Sequence, residues 1–86
     1  MSAYAVGEAS QEALLVALAR EVAGSGTTVN MLLVRTIDAG HVRDTDPTPR
    51  SASWTTPEEI SAALMYLLSD QAGVVNGARI PLHGGA

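Results

Sequence analysis

Residues 27–34, Thr-Thr-Val-Asn-Met-Leu-Leu-Val, form a short apolar run rich in β-forming side chains and bounded by glycines. Lacking any polar alternation, such a run is expected to be a strand buried on both faces, which is the pattern of a parallel sheet. A parallel strand cannot be reached by a tight hairpin and needs a crossover element on each side. Helical patterns stand on both sides of this run, and that arrangement restricts the chain to an α/β fold.

Upstream, residues 9–23 are dominated by Ala, Leu, Glu, Gln and Arg, all strong helix formers. Leu14, Leu18 and Val22 recur every four residues, and Leu15 and Val16 widen the apolar stripe beyond what one packing partner needs. Ser2 or the region of Ser10 is expected to cap this helix, and Gly24-Ser25-Gly26 closes it with residues that tolerate positive φ. Downstream, Thr56-Pro57-Glu58-Glu59 is a capping box. Thr56 can accept from the Glu59 amide, Pro57 suits the first helical position, and two acids sit on the positive end of the dipole. The apolar face of that helix is expected at Ile60, Ala63, Leu64, Leu67 and Leu68. A turn over residues 71–77 leads to a strand at residues 78–83, where Pro81 argues for an edge or a chain end.

Between strand and second helix lie residues 39–55, with Pro47, Pro49 and small polar side chains and no apolar period. A loop of this length is usually functional or mobile, so it is expected to be a substrate lid or the remnant of one. The chain is one domain, residues 1–86, in the order helix, strand, long loop, helix, strand. At this size only roughly 60% of the unfolded surface is buried, and a lone parallel pair has two bare edges that something must cover. Self-association through the helix at 9–23 and the strand at 27–34 is therefore expected, giving a homo-oligomer.

Nine acids stand against five basic residues, all arginine, for a net charge of −4. Without a basic cluster, nucleic-acid binding and docking to anionic membranes lack their electrostatic footprint. No apolar run approaches the roughly 20 residues that span a bilayer, and no basic leader begins the chain. Cysteine is absent, which excludes disulfides and thiolate metal sites and agrees with a reducing, cytoplasmic setting.

Tyr4 and Glu8 stand four apart at the entrance of the first helix, a spacing that shares a face. Taken with Val29-Asn30, Thr56-Pro57-Glu58-Glu59-Ile60, Ser69-Asp70, Gly77 and Gly84-Gly85, this stretch resembles the C-terminal third of the short-chain dehydrogenase/reductase family. The resemblance implies the C-terminal part of a Rossmann-like doubly wound parallel sheet and a family of NAD(P)-dependent oxidoreductases. It makes Tyr4 the counterpart of the catalytic tyrosine. Glu8, however, replaces the lysine expected four residues on, and a carboxylate raises the pKa of a nearby phenol where a cation lowers it. Val34-Arg35 replaces a proline-glycine pair beside the nicotinamide, and Ala39 replaces a threonine that contacts the carboxamide. Ile37 matches a cofactor-binding position whose contact is made by the backbone. The pattern of matches describes architecture, and the replacements fall on chemistry.

No strand is followed by a glycine-rich turn and a helix, since Gly24-Ser25-Gly26 precedes a strand. A pyrophosphate therefore finds no helix N-terminus prepared for it, and no cofactor is expected for this chain alone. The expectation is a degenerate relative, inactive alone, that serves as a structural or assembly module. The alternative is a fragment of an NAD(P)-dependent oxidoreductase completed by an upstream region, and a third reading is a small binding protein using the loop. His41 and His83 lack clustered acids and are expected as loop and strand-end residues rather than metal ligands. Arg35 is expected to pair with Asp38, Asp44 or Asp46 in preference to an anion, with Arg43 and Arg50 nearby. Trp54 either lines a pocket or packs beneath the helix entrance, and Met31, Met65 and Tyr66 are expected in a core or interface.

Overall fold

The computed structural model of the chain describes residues 2–3 and 9–85. In order, the elements are β1 (Ser2–Ala3), α1 (Ala9–Val22), β2 (Thr28–Val29), β3 (Met31–Val34), α2 (Val42–Thr45), α3 (Pro57–Leu67), a 3₁₀ turn (Asp70–Val74) and β4 (Arg79–Leu82). Pairing is parallel throughout: β1 runs beside β2, with Ser2 opposite Thr28, and β3 runs beside β4, with Met31 opposite Arg79 and Val34 opposite Leu82. These are two two-stranded parallel ladders, and the apolar run supplies one strand to each, β2 and β3, on either side of Asn30.

Successive strand side chains point to opposite faces, and the core divides accordingly. Val29 and Met31 are buried with Leu15 of α1, and Leu18, Val22 and Leu33 pack around them. Leu32 is buried with Leu67 of α3 and Ala72 of the 3₁₀ turn, against Ala63, Val75, Ile80 and Leu82. One helix covers each face of the sheet, which is the doubly wound arrangement.

At Asn30 the regular strand is interrupted: the Gly77 amide donates to Val29 O at 2.8 Å and the Met31 amide to Ala78 O at 2.9 Å on either side of it, and side chains supplement the pairing. The Asn30 amide donates to the Val75 carbonyl and its oxygen accepts from the Ala78 amide, both at 3.0 Å. Asn76 repeats the device one step earlier, accepting from the Val29 amide at 3.0 Å and donating to the Ala19 carbonyl at 2.8 Å. Two asparagines therefore join α1, the central strand and the approach to β4. Gly77 passes between them with φ of 77°, a conformation that glycine adopts without steric cost.

Several expectations need correction. Ser2 is a strand residue that pairs with Thr28, seven positions before α1 begins at Ala9, and a third strand supplements the two expected. Because β1 pairs with β2, the edge expected to be bare at that end is covered within the chain. Residues 39–55 are not devoid of regular structure: they contain α2, and their stems are joined by a parallel bridge between Ile37 and Thr55. The turn at 71–77 includes the 3₁₀ turn. On α3 only Leu67 of the expected face is buried; Leu64 and Leu68 remain exposed beside Met65 and Tyr66. The capping box itself forms as expected, with Thr56 and Glu59 reciprocally bonded. No helix among the described residues is long and apolar enough to cross a membrane.

Candidate functional site

In open α/β sheets, ligands sit beyond the carboxyl ends of the strands. Here β3 ends at Val34 and β4 at Leu82, so the segments that follow, residues 35–55 and 83–85, form the floor and wall of any such site. Between them lies an open groove of about 470 Å³ lined by Arg43, Asp44, Pro47, Thr48, Pro49, Ala52 and Gly85.

The first stem is fixed by two backbone bonds: the Asp38 amide donates to Thr55 O at 2.7 Å, and the Thr55 amide donates to Thr36 O at 3.0 Å. In a parallel bridge of this kind the flanking residues make the bonds, so the amide and carbonyl of Ile37 face away from Thr55. The Ile37 side chain is 57% exposed. Asp38 is only 1% exposed, and its carboxylate accepts from the amides of Val42 at 2.7 Å and Arg43 at 3.1 Å. It thereby satisfies the first amides of α2 and explains why a helical turn forms in a segment without apolar periodicity. Replacing Asp38 with alanine leaves two amides without an acceptor and is expected to cost about 2 kcal/mol. Amide exchange of Val42 and Arg43 should accelerate while β3 stays protected; unchanged protection would refute the assignment.

Arg43 reaches across the segment. Its guanidinium donates to Trp54 O at 2.7 Å and forms an ion pair with Glu59 on the first turn of α3. Glu59 also accepts from the Thr56 amide at 2.9 Å and, through its second oxygen, from the Gly85 amide at 3.2 Å. The Thr56 amide, then Arg43 and Gly85, hold the Glu59 carboxyl at about 2. Its charged form therefore supports this junction above the ordinary carboxylate range, and the support is lost only as pH falls towards that value. Beside it, His41 Nε2 lies 2.8 Å from Glu58 Oε2. That contact raises the imidazole above its ordinary value and lowers the Glu58 carboxyl.

The expected site residues are distributed unevenly over this geometry. Tyr4 and Glu8 lie outside the described residues. Val34 closes β3, and Arg35, Ile37 and Ala39 follow it on the exposed side. Among the described residues Arg35 makes no ion pair with Asp38, Asp44 or Asp46, contrary to expectation, because Asp38 is committed to backbone amides. His83 is an exposed residue directly after β4, and His41 is a segment residue held by Glu58. No group of three or more His, Asp or Glu side chains that could hold a metal occurs among the described residues. Trp54 is half-buried, contributing its carbonyl to Arg43. The Arg43, Glu59 and Gly85 junction was not legible from motifs, since its members are far apart in sequence and only Glu59 belongs to a recognisable pattern.

No family model matches the chain. A 3-oxoacyl-(acyl-carrier-protein) reductase of Pseudomonas aeruginosa is 34% identical over 90 residues, covering 95% of this chain and 36% of that protein. Among solved structures, a short chain dehydrogenase from Bacillus anthracis superposes with a TM-score of 0.66 at 32% identity, over 90% of this chain and 32% of its own. The chain is a relative of the short-chain dehydrogenase/reductase family. A 4-hydroxyisoleucine dehydrogenase complexed with NADH has the same fold, with a TM-score of 0.66 at 21% identity over 88% of this chain and 35% of its own. The chain spans about a third of the length of the curated family members that it matches.

Proposed function

We propose that these 86 residues do not transfer hydride by themselves and act as a structural or assembly module built on the family's fold. The observation that carries this reading is the use made of the polar groups beyond the strand ends. Asp38 caps α2, Arg43 and Glu59 hold each other, and Glu59 also fastens Gly85. Each is spent on backbone or on another side chain.

A dinucleotide does not fit what the chain supplies. Gly24 and Gly26, with φ of 77° and 86°, end a helix and lead into a strand, so neither sits where amides at a helix N-terminus would receive a pyrophosphate. Among the described residues, the contribution available is the backbone edge of Ile37 that faces away from Thr55. Assembly draws on α1, where Leu14 is 49% and Val16 44% exposed beside the buried Leu15. We expect the chain to self-associate through this helix and the strand region behind it.

A second reading is favoured by the coverage of about a third of each relative and by the orientation of Ile37. In it, the chain is a fragment of an NAD(P)-dependent oxidoreductase whose nucleotide-binding part lies outside these residues. A coding region that continues upstream with a glycine-rich turn would favour this second reading, and calorimetric titration of the purified chain with NADH and NADPH tests the first. No binding at micromolar concentration is expected; a micromolar affinity would overturn the first reading. Sedimentation of the same sample should give a mass above the 8.9 kDa of one chain, and a monomer would remove the assembly role.

A further inference from the structure

The segment between the Ile37 and Thr55 bridge is held on α3 at two adjacent points of different chemistry. Arg43 engages Glu59, and His41 engages Glu58, so consecutive glutamates of one helical turn receive consecutive parts of the segment. We propose that residues 38–55 form a flap whose leading half, around α2, is fastened to α3 by a pH-dependent latch at His41 and Glu58, while Arg43 and Glu59 form its permanent hinge.

The geometry distinguishes the two points. Arginine stays protonated at any physiological pH, and Glu59 stays ionised, so the hinge does not change over the neutral range. Histidine alone changes charge there. His41 is also the single non-glycine residue with positive φ among those described, at φ 53° and ψ 42°. A left-handed conformation of a bulky residue is unfavourable unless its surroundings hold it, and such outliers gather at switching segments. Here it places His41 as the N-cap of α2, where its carbonyl accepts from the amides of Asp44 at 3.0 Å and Thr45 at 3.2 Å. Loosening the ring from Glu58 therefore acts directly on the backbone of α2.

The charged groups around the imidazole are Glu58 on α3, Asp44 on α2 and Asp38 on the stem, all acidic and all favouring its protonated form. The latch is accordingly closed below the ordinary histidine value near 6.5 and weakens as pH rises through the raised value. At the acid end it persists until Glu58, itself lowered, is protonated. Arg43 and Asp44 of this half line the groove together with Pro47, Thr48, Pro49, Ala52 and Gly85, so loosening α2 alters one of its walls.

Amide hydrogen exchange by NMR, corrected for the intrinsic pH dependence and followed from about pH 5.5 to about pH 8.5, tests the latch. Opening of the Asp44, Thr45 and Asp46 amides is expected to rise on the order of two- to fivefold through the His41 titration, the range of an exposed ion pair. The amides of β3 should show no step and report that the fold is intact. In Glu58→Gln the step should disappear and the His41 imidazole should titrate at a lower pH. Absence of the step in the unaltered chain, or an equal step in Glu58→Gln, would overturn the proposal.

Discussion

Gly84→Ala is expected to lower the thermal midpoint by about 10 °C, as about 2 kcal/mol is lost from a domain of this size. A Cβ at this position would lie 2.5 Å from the Trp54 carbonyl carbon and 2.6 Å from an Arg43 guanidinium nitrogen, and would overlap the Trp54 oxygen outright. Backbone cannot yield there as the tip of a flexible side chain would. Gly84 N also donates to Ser53 O at 3.2 Å, so displacing the residue breaks that bond and withdraws Gly85 from Glu59. The loss is bounded by the undocking of the tail, which is why it should be a fraction of the whole stability. Gly73→Ala is the control, because nothing lies within 4 Å of a Cβ there. Comparable melting of the two variants would mean that the contact between tail and flap contributes little.

Asn30→Ala is expected to cost about 3 kcal/mol, measured by denaturant unfolding. The side chain is 4% exposed, and its two bonds are to backbone groups, Val75 O and Ala78 N, which have no substitute when it is truncated. Asn30→Asp should be no better, since a carboxylate cannot donate to Val75 O and would be buried without a cation. Asn76→Ala should be milder, because Asn76 is itself exposed and water can reach part of what it leaves. An Asn30 variant within 1 kcal/mol of the parent would show that the ladder closes without the side chain.

The elements legible in the sequence were those written by local rules. Thr56 and Glu59 stand three apart after Trp54, and that spacing alone fixes the start of α3. The apolar run before Arg35 could only be a buried strand, and Gly24 and Gly26 do end α1 with positive φ. What escaped was set by distant partners. Ser2 is a strand residue because Thr28 lies beside it, which no spacing around Ser2 announces. The helical turn α2 exists because Asp38, upstream of its N-cap His41, turns a carboxylate onto two amides. On α3 the apolar period located a helix but overstated its buried width, since the 3₁₀ turn and β4 cover only the Ala63 and Leu67 side. At the site, the replacements at Val34, Arg35 and Ala39 were visible as letters, while the Arg43, Glu59 and Gly85 junction needed the fold to bring it together.

Trp54 is the single tryptophan of the chain, half-buried where the end of the flap, the start of α3 and the tail meet. Its carbonyl receives Arg43, and its backbone crowds Gly84. The molecule thus carries a native fluorophore at the one junction where these three parts can separate. Its emission should shift to the red when the tail or flap lifts while the helical ellipticity holds steady. Local release and global unfolding would then be distinguishable in an unlabelled sample by two optical signals.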